Sequence, residues 1–422
     1  MRTARATALT ALLTGSALLV AACGGSGFSD DEGGGGAEAP EETSDAGGSL
    51  TVLIGSSGDA ETDAVTSAVD AWSQESGTDA EVTVASDLPQ QLSQGFAAGS
   101  PPDVFYVGTD NLAGYAANGS LFAYGDDLEN KDDFYPALVE NFTYDGEFYC
   151  APKDFSTLAL VINTDAWAAA GLTDADIPTD WAGLADVAAR LTTPEQVGLT
   201  FGPEYQRVGV FMAQAGGGLV DEDGTTAIAD SPENVEALTF VQQMLKDGVL
   251  AFPSAIDSGW GGEAFGTGRA AMTIEGNWIV GALRNDFPDV KYQVVELPAG
   301  PAGQGTLQFT NCWGIAADSQ NQQAALELVQ HLTATEQQVA FAEAFGVMPS
   351  VQSAAEDFRT AFPEMTAFID SAEFAVGMPT AQGAVDVIGD FNGQIEGLAD
   401  ADVAAVLESV QTNMQSALDA QG

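Results

Sequence analysis

The sequence predicts an α/β protein built from two lobes, and three observations carry this prediction. The chain has 422 residues, more than one hydrophobic core usually organises. Hydrophobic residues make up 45% of it, so it can bury a large core. Short apolar strands alternate along the chain with amphipathic helices. This alternation is typical of a largely parallel sheet covered by helices.

The first β-α-β unit begins at residue 50. "SLTVLIG" is an apolar strand, "ETDAVTSAVDAWSQESG" has helical spacing and ends at Gly77, and "AEVTVAS" is a second strand. A helix and a Gly-Ser-Pro-Pro break then lead to a strand over residues 103–107. Ligands of such sheets bind at the carboxyl ends of the strands. The residues just after these ends are small or polar: Ser56, Ser57, Gly58, Ser86, Asp87, Gly108, Thr109 and Asp110.

The α/β pattern continues through the rest of the chain. A strand is predicted over 158–162, and a helix over "SPENVEALTFVQQMLKDG" with Ser231 as its N-cap and Gly248 as its stop. "NQQAALELVQHLTATEQQVAFAEAFG" also favours helical structure. "AAMTIEGNWIV", residues 270–280, has a single charged residue and is predicted to be a strand that ends in a tryptophan.

Composition argues against two classes of function. Asp and Glu outnumber Lys and Arg by 62 to 11, giving a formal net charge of −51, which makes nucleic acid an unfavourable partner. His331, the single histidine, lies on an amphipathic helix, and the chain lacks both a zinc-ligand cluster and a phosphate-binding loop. We therefore expect no enzyme activity, no metal and no cofactor.

The N-terminus predicts export and lipid anchoring. Arg2 and Arg5 precede an apolar run, and "LVAAC" resembles the bacterial lipobox, in which the cysteine is acylated after cleavage. Residues 1–22 are thus expected to be a signal peptide, with Cys23 as the lipidated residue. The acidic, glycine-rich stretch 23–49 cannot bury enough apolar surface to fold and is expected to be a tether. An ordinary signal peptide with an incidental cysteine is the alternative.

The two remaining cysteines form an even pair. Cys150 and Cys312 would lie in an oxidising compartment, where a disulfide is the default expectation. Two independent buried thiols are the alternative, because a free cysteine behaves as a small hydrophobe.

Four segments, in this order, carry a family resemblance over nearly all of the mature chain. They are "AAGSPPDVFYVGTDNLAGYAANGSL", "FYCAPKDFSTLALVINTDAWAAAGL", "AFGTGRAAMTIEGNWIVGAL" and "CWGIAADSQNQQAALELVQHLTATEQQ" followed by "GVMPS". The chain resembles the family 1 extracellular solute-binding proteins of bacterial ABC importers, the family that includes the maltose-binding protein. It departs from the family's usual Tyr-Asn pair, because Ile162 precedes Asn163.

The resemblance implies a periplasmic-binding-protein-like fold with a ligand cleft between two lobes joined by hinge strands. Lobe 1 would contain residues 50–154 and 312–350, and lobe 2 residues 155–311 and 351–422. The cysteine-bearing segments would then lie side by side at the hinge. A monomer is expected on the outer face of the cell membrane, delivering its ligand to the permease of an importer.

The resemblance also assigns candidate ligand-binding residues. Trp278 would be an aromatic platform for a sugar, although a core tryptophan is the alternative, and Asp110 would accept from sugar hydroxyls, although a solvated loop is the alternative. Basic residues of the maltose-binding protein fall near Ser57, Asp87 and Asn111, so the ligand or its orientation differs. The further candidates are Trp313, Tyr205, Trp260, Asp154, Phe155 and Glu204.

Three functions follow from this reading. Capture of a carbohydrate, such as an oligosaccharide, for an importer is the first. Capture of a cationic solute such as a polyamine is the second, since tryptophan and aspartate also suit cations. A secreted carbohydrate-active enzyme is the third.

Overall fold

The computed structural model describes residues 49–221 and 223–420. The predicted signal peptide, the acylation site at Cys23 and all but the last residue of the predicted tether lie outside these residues. Within the described ranges, no helix combines the length and the apolar character needed to cross a membrane.

Twelve strands are assigned in the described residues: β1 Leu50–Ile54, β2 Ala80–Val84, β3 Val104–Gly108, β4 Thr143–Tyr144, β5 Glu147–Phe148, β6 Ala151–Asn163, β7 Val197–Thr200, β8 Leu250–Ala251, β9 Ala270–Gly276, β10 Tyr292–Val295, β11 Thr306–Ile315 and β12 Ala375–Val376. Sixteen α-helices lie between and after them in the same residues: α1 Asp59–Ser76, α2 Leu88–Ala98, α3 Thr109–Ala117, α4 Pro136–Asn141, α5 Thr164–Ala169, α6 Trp181–Leu191, α7 Tyr205–Gln214, α8 Pro232–Lys246, α9 Gly261–Gly266, α10 Trp278–Asp286, α11 Gln322–Leu332, α12 Thr335–Phe345, α13 Ala355–Ala361, α14 Thr366–Asp370, α15 Ala384–Ile395 and α16 Val403–Asp419.

One hydrogen-bonded path joins the main strands in the order β2-β1-β3-β11-β6-β9-β7-β8. The strands at each end of the path are parallel to their neighbours, as the alternating sequence pattern predicts. The two central strands, β6 and β11, are antiparallel to each other. The predicted α/β class is confirmed.

The central strands β6 and β11 belong to both halves of the sheet. Up to Thr157, β6 pairs with β11, and from Leu158 onward it pairs with β9. The sequence predicts only residues 158–162 as this strand, because "APKDFST" before them carries proline and charged side chains. In the structure those residues are buried, and the strand begins at Ala151.

Two large hydrophobic cores lie on either side of these strands. One core draws on residues between 50 and 151 and between 312 and 354, and we call this part lobe 1. The other draws on residues between 158 and 307 and between 384 and 414, and we call this part lobe 2. Val351 and Ala354 pack in the lobe 1 core, just past the end predicted for that lobe. The exact boundaries stay a prediction.

Helix ends follow the sequence in most places. Ser231 caps α8 by accepting from the Asn234 N–H at 3.3 Å, and Gly77 ends α1 with a φ of 76°. The segment after residue 321 is helical as predicted, and it forms two helices, α11 and α12. The Thr333 carbonyl at the division accepts from the Asn130 side chain at 3.1 Å instead of continuing the helix.

The disulfide expected between Cys150 and Cys312 is present, with Cα atoms 5.6 Å apart. Cys150 immediately precedes β6 and Cys312 lies on β11, and both are fully buried in the lobe 1 core. The bridge therefore ties the two central strands at their lobe 1 ends.

We predict that Cys150→Ala with Cys312→Ala lowers the melting temperature of the mature protein. The bridge closes a loop with a sequence separation of 162, for which the chain-entropy model allows a stabilisation on the order of 4–5 kcal/mol as an upper value. Peptide mapping of the wild-type protein without reductant should yield one cross-linked peptide that contains both cysteines. Two freely alkylatable thiols in that sample would contradict the prediction.

Candidate ligand-binding cleft

An open cleft of about 300 Å³ lies where β3 ends and the central strands run between the two cores. Its position at the carboxyl end of a parallel strand is the usual place for a ligand in an α/β sheet. The lining residues come from the β3–α3 junction, both central strands and the segment after β12: Gly108, Thr109, Asp110, Asp154, Ser156, Phe309, Thr310, Asn311 and Met378.

Asp110 is an exposed carboxylate in the first turn of α3, directly after β3. The helix dipole stabilises a negative charge at this position. A Cβ atom at residue 108 would lie 2.3 Å from the Asp110 Oδ1, so glycine at position 108 lets the carboxylate fold back over the strand end. The carboxylate thus lies on the cleft wall with its oxygens available as acceptors.

A β-bulge in β6 shapes the floor of the cleft. Asp154 pairs with Asn311, but the next pairing joins Pro152 to Cys312, so Lys153 is an extra residue. Bulges of this kind re-aim side chains and occur often beside functional sites. Both Lys153 and Asp154 are buried, and the Lys153 ammonium contacts the Asp154 carboxylate.

The Lys153 ammonium joins Asp154 to a second buried carboxylate, that of Glu61. Its Nζ lies 3.0 Å from Glu61 Oε1, which also accepts from the Tyr106 hydroxyl at 3.0 Å. The other Glu61 oxygen accepts from the backbone N–H and the hydroxyl of Ser57, at 2.8 and 2.7 Å. A continuous polar network therefore runs from the end of β1 to the cleft floor.

The charges in this network are unequally stabilised. Burial raises the pKa of Glu61, but Lys153 and the two Ser57 hydrogen bonds outweigh it and hold the pKa below its usual value. Burial raises the pKa of Asp154 above its usual value, with Lys153 opposing. The two carboxylates share one ammonium, but only Glu61 also accepts hydrogen bonds from Ser57. These additional donors account for its lower pKa.

Trp278 lies on the lobe 2 side and is 40% exposed. The predicted strand ends at Gly276, and Trp278 begins α10, so the expectation of a strand that ends in tryptophan is wrong. A Cβ at residue 276 would lie 2.2 Å from the indole Cζ3, so only glycine lets the ring pack this closely. The indole also meets the ring of Phe309 edge-on, at 5.9 Å between centroids, and Phe309 lines the cleft.

Glu275 and Arg207 surround the indole. The Trp278 Nε1–H donates to Glu275 Oε2 at 3.1 Å, and the same oxygen accepts from Arg207 Nη2 at 2.7 Å. The Arg207 guanidinium carbon lies 5.4 Å from the ring centroid of Trp278. Burial raises the pKa of Glu275, with Arg207 opposing.

The structure places three other aromatic candidates in the cores and away from the cleft surface. Trp313 is buried against Tyr106, Tyr205 against Phe391, and Phe155 against Tyr135. All three side chains face inward from their strand or helix, so they have the small exposed area of packing residues.

The remaining candidates differ in their surroundings. Ser57 holds Glu61, whereas Asp87 caps α2 by accepting from the Gln90 N–H at 3.0 Å. The half-buried Trp260 lies over Gly262, and Glu204 precedes α7 with a buried, unpartnered Oε2. Asn111 follows Asp110 in α3 and is half-buried. Ligand contact by any of these residues stays a prediction.

Sequence reasoning missed Glu61, Lys153, Arg207, Glu275 and Phe309. One signal was available, because the chain has only 11 basic residues and one of them, Lys153, lies in the segment that leads into the apolar run over residues 158–162. No comparable signal marked Glu61, which lies in an acidic first helical turn of ordinary appearance.

The fold and the cleft define a two-lobed binding protein of the periplasmic type. The chain belongs to the bacterial extracellular solute-binding protein family, whose model matches residues 67–368.

Similar proteins with known binding or structure agree with this assignment. The chain is 25% identical over 282 residues to the diacetylchitobiose binding protein DasA of Streptomyces coelicolor, covering 63% of this chain and 64% of the relative. The GacH receptor of Streptomyces glaucescens, solved unliganded and with acarbose, has a TM-score of 0.75 and 22% identity, covering 88% of this chain and 98% of that one. The cyclic alpha-maltosyl-1,6-maltose binding protein of Arthrobacter globiformis has a TM-score of 0.79 and 20% identity, covering 88% and 99%. These proteins are binding proteins, and the structural likenesses concern the fold.

We predict that Lys153→Met destabilises the protein by about 3–5 kcal/mol, because it leaves two buried carboxylates without a cation. Lys131→Met is the matched control, since the Lys131–Asp126 pair is exposed and such pairs contribute little. Without Lys153, burial raises the pKa of both carboxyl groups. The loss should therefore be full at alkaline pH and should shrink as the pH falls through those raised values.

Thermal unfolding of both variants and of the wild type, in mildly alkaline and mildly acidic buffer, measures this difference. Equal losses for Lys153→Met and Lys131→Met would contradict the prediction.

Proposed function

We propose that this protein is an extracytoplasmic lipoprotein that captures a carbohydrate, such as an oligosaccharide, and delivers it to the permease of an ABC importer. The observation that carries the proposal is the 40% exposed indole of Trp278, held in place beside the cleft. An aromatic ring that is held in a fixed orientation beside a cleft and left partly open to solvent suits a ligand platform.

The chemistry of the cleft suits a sugar. A pyranose has apolar C–H faces and a polar rim, so its binders combine aromatic rings with hydrogen-bonding side chains. Trp278 and Phe309 supply the rings, and Asp110, Ser156 and Asn311 supply donors and acceptors around the same cleft. The acarbose and diacetylchitobiose bound by similar proteins support the same class of ligand.

The mechanism is capture without turnover. The two lobes would close over the sugar by bending at β6 and β11, the strands shared by both halves of the sheet. Closure would bury the ligand and create the surface that the permease binds, while a separate partner hydrolyses ATP. A lipid at Cys23 would hold the monomer at the outer face of the membrane.

A thermal-shift panel tests the proposal. The chain from residue 24 onward would be heated with maltose, maltotriose, cellobiose, diacetylchitobiose, putrescine and spermidine. A ligand that binds only the folded state raises the melting temperature, and we expect at least one sugar to do so. A shift with the polyamines alone would replace the proposal by capture of a cation, and product formed from a sugar would replace it by an enzyme.

Trp278→Ala is expected to weaken sugar binding by about 1–3 kcal/mol, the cost typical of losing a buried aromatic anchor. Trp278→Phe is the matched variant, since it keeps an aromatic face and should lose less. Titration calorimetry with the sugar that stabilises the wild type most measures both. Unchanged affinity in Trp278→Ala would return Trp278 to a purely structural role.

Asp110→Asn is expected to cost more affinity than Asp87→Asn. Both residues follow strand ends in lobe 1, but Asp110 lines the cleft and Asp87 caps a helix. The amide offers one acceptor oxygen where the carboxylate offers two. The same titration compares the two variants, and a larger loss in Asp87→Asn would show that the polar contact is misplaced.

A further inference from the structure

The ion pair between Arg207 and Glu275 is buried on the lobe 2 side of the cleft. Arg207 lies in α7 and Glu275 in β9, and their side chains are only 13% and 2% exposed. The carboxylate also lies near Gly261, where a Cβ atom would approach Glu275 Oε1 to 2.5 Å. Close backbone packing therefore confines the carboxylate.

Stability alone does not explain this pair. Removing two charges from water often costs more free energy than their attraction regains. Apolar residues of similar volume at such positions commonly give a protein that is equally stable. The Arg207 Nε is also buried without a hydrogen-bond partner, which adds to the cost. A chain with 11 basic residues has nevertheless placed one of them here.

Both members of the pair contact Trp278. Glu275 Oε2 accepts from the indole Nε1–H at 3.1 Å, and the Arg207 guanidinium carbon lies 5.4 Å from the ring centroid. The carboxylate holds the polar edge of the ring and the cation lies against the ring itself. These two contacts, together with Gly276 and Phe309, leave the indole little freedom to rotate.

We infer that Arg207 and Glu275 are positioning residues that hold the Trp278 indole in the orientation in which it meets the sugar. The inference rests on the proposed function, because it takes Trp278 as the ligand platform. A side chain that is already ordered before binding loses less rotational freedom when the ligand arrives. The pair thus contributes to affinity through Trp278 and without touching the ligand.

A double-mutant cycle separates positioning from a merely structural role. The variant Arg207→Met with Glu275→Leu removes both contacts together with both charges of the pair. With the panel sugar that stabilises the wild type most, we expect a loss of affinity of about three- to tenfold. In the Trp278→Ala background the same two substitutions should change affinity by less than about twofold, because the side chain on which they act is absent.

Two further variants complete the design. Arg207→Met with Glu275→Gln keeps an acceptor for the indole N–H and should recover part of the lost affinity. Arg269→Met is the matched control, because Arg269 forms an exposed pair with Asp257 on the same lobe and should leave affinity unchanged. Equal losses in the wild-type and Trp278→Ala backgrounds, or no loss in the wild-type background, would overturn the inference.

A measurement without ligand distinguishes failure of this inference from failure of the proposed function. In protein labelled with 5-fluorotryptophan, the fluorine resonance of Trp278 is assigned by its loss in Trp278→Phe. Arg207→Met with Glu275→Leu should move that resonance toward the value for a free indole in water. An unmoved resonance overturns the inference even if sugars bind. A wild-type protein that binds no sugar overturns the proposed function, and the resonance alone then tests whether Arg207 and Glu275 position Trp278.

Discussion

The antiparallel pairing of β6 with β11 is the interaction on which the rest of the structure depends. On one side β11 pairs with β3 of lobe 1, and on the other side β6 pairs with β9 of lobe 2. The pairing of β6 with β11 leads from one core to the next and gives the cleft a floor of paired backbone. The bulge at Lys153 is the single irregularity in their pairing, and it lies in that floor.

The few basic residues of this acidic chain are used unequally. Lys153 and Arg207 are buried beside the cleft, whereas the other arginines and lysines that form ion pairs in the described residues are 36–72% exposed. Each of these cations contacts a carboxylate at the proposed ligand surface. Lys153 contacts Asp154, which lines the cleft, and Arg207 contacts Glu275, which accepts from the Trp278 indole N–H. A buried cation beside the cleft fixes geometry more than it adds stability, because its desolvation offsets much of its attraction.

The sequence predicted the fold better than the site. Local signals such as the Ser231 cap and the apolar strand over residues 50–54 depend on neighbours in the chain, and they were correct. The start of β6 was missed because Lys153 and Asp154 look solvated in sequence. In the structure the Lys153 ammonium lies between the carboxylates of Asp154 and Glu61, and Glu61 lies 92 residues from Lys153.

Aromatic residues show the same limit in another form. In sequence Trp278 is the first candidate platform and Trp313 a further one. In the structure Trp278 opens a helix and is partly exposed, whereas Trp313 lies inside a sheet. Tertiary packing decides between them, because Trp313 is covered by strands on both sides of β11, and these partners are distant in the chain. The positions of Arg207 and Glu275 are unpredictable for the same reason.

The place of β11 in the sheet sets an order of assembly. β11 lies between β3 and β6 in the sheet, but in the chain it follows both of them and the lobe 2 elements from α5 to β10. During synthesis, lobe 1 therefore has two open strand edges and Cys150 has no partner until Cys312 arrives, at a sequence separation of 162. Lobe 1, the first part of the protein to be made, thus stays incomplete until the chain has passed through most of lobe 2. A chain cut before residue 306 would lack the strand that closes lobe 1, however much of its N-terminal sequence it retained.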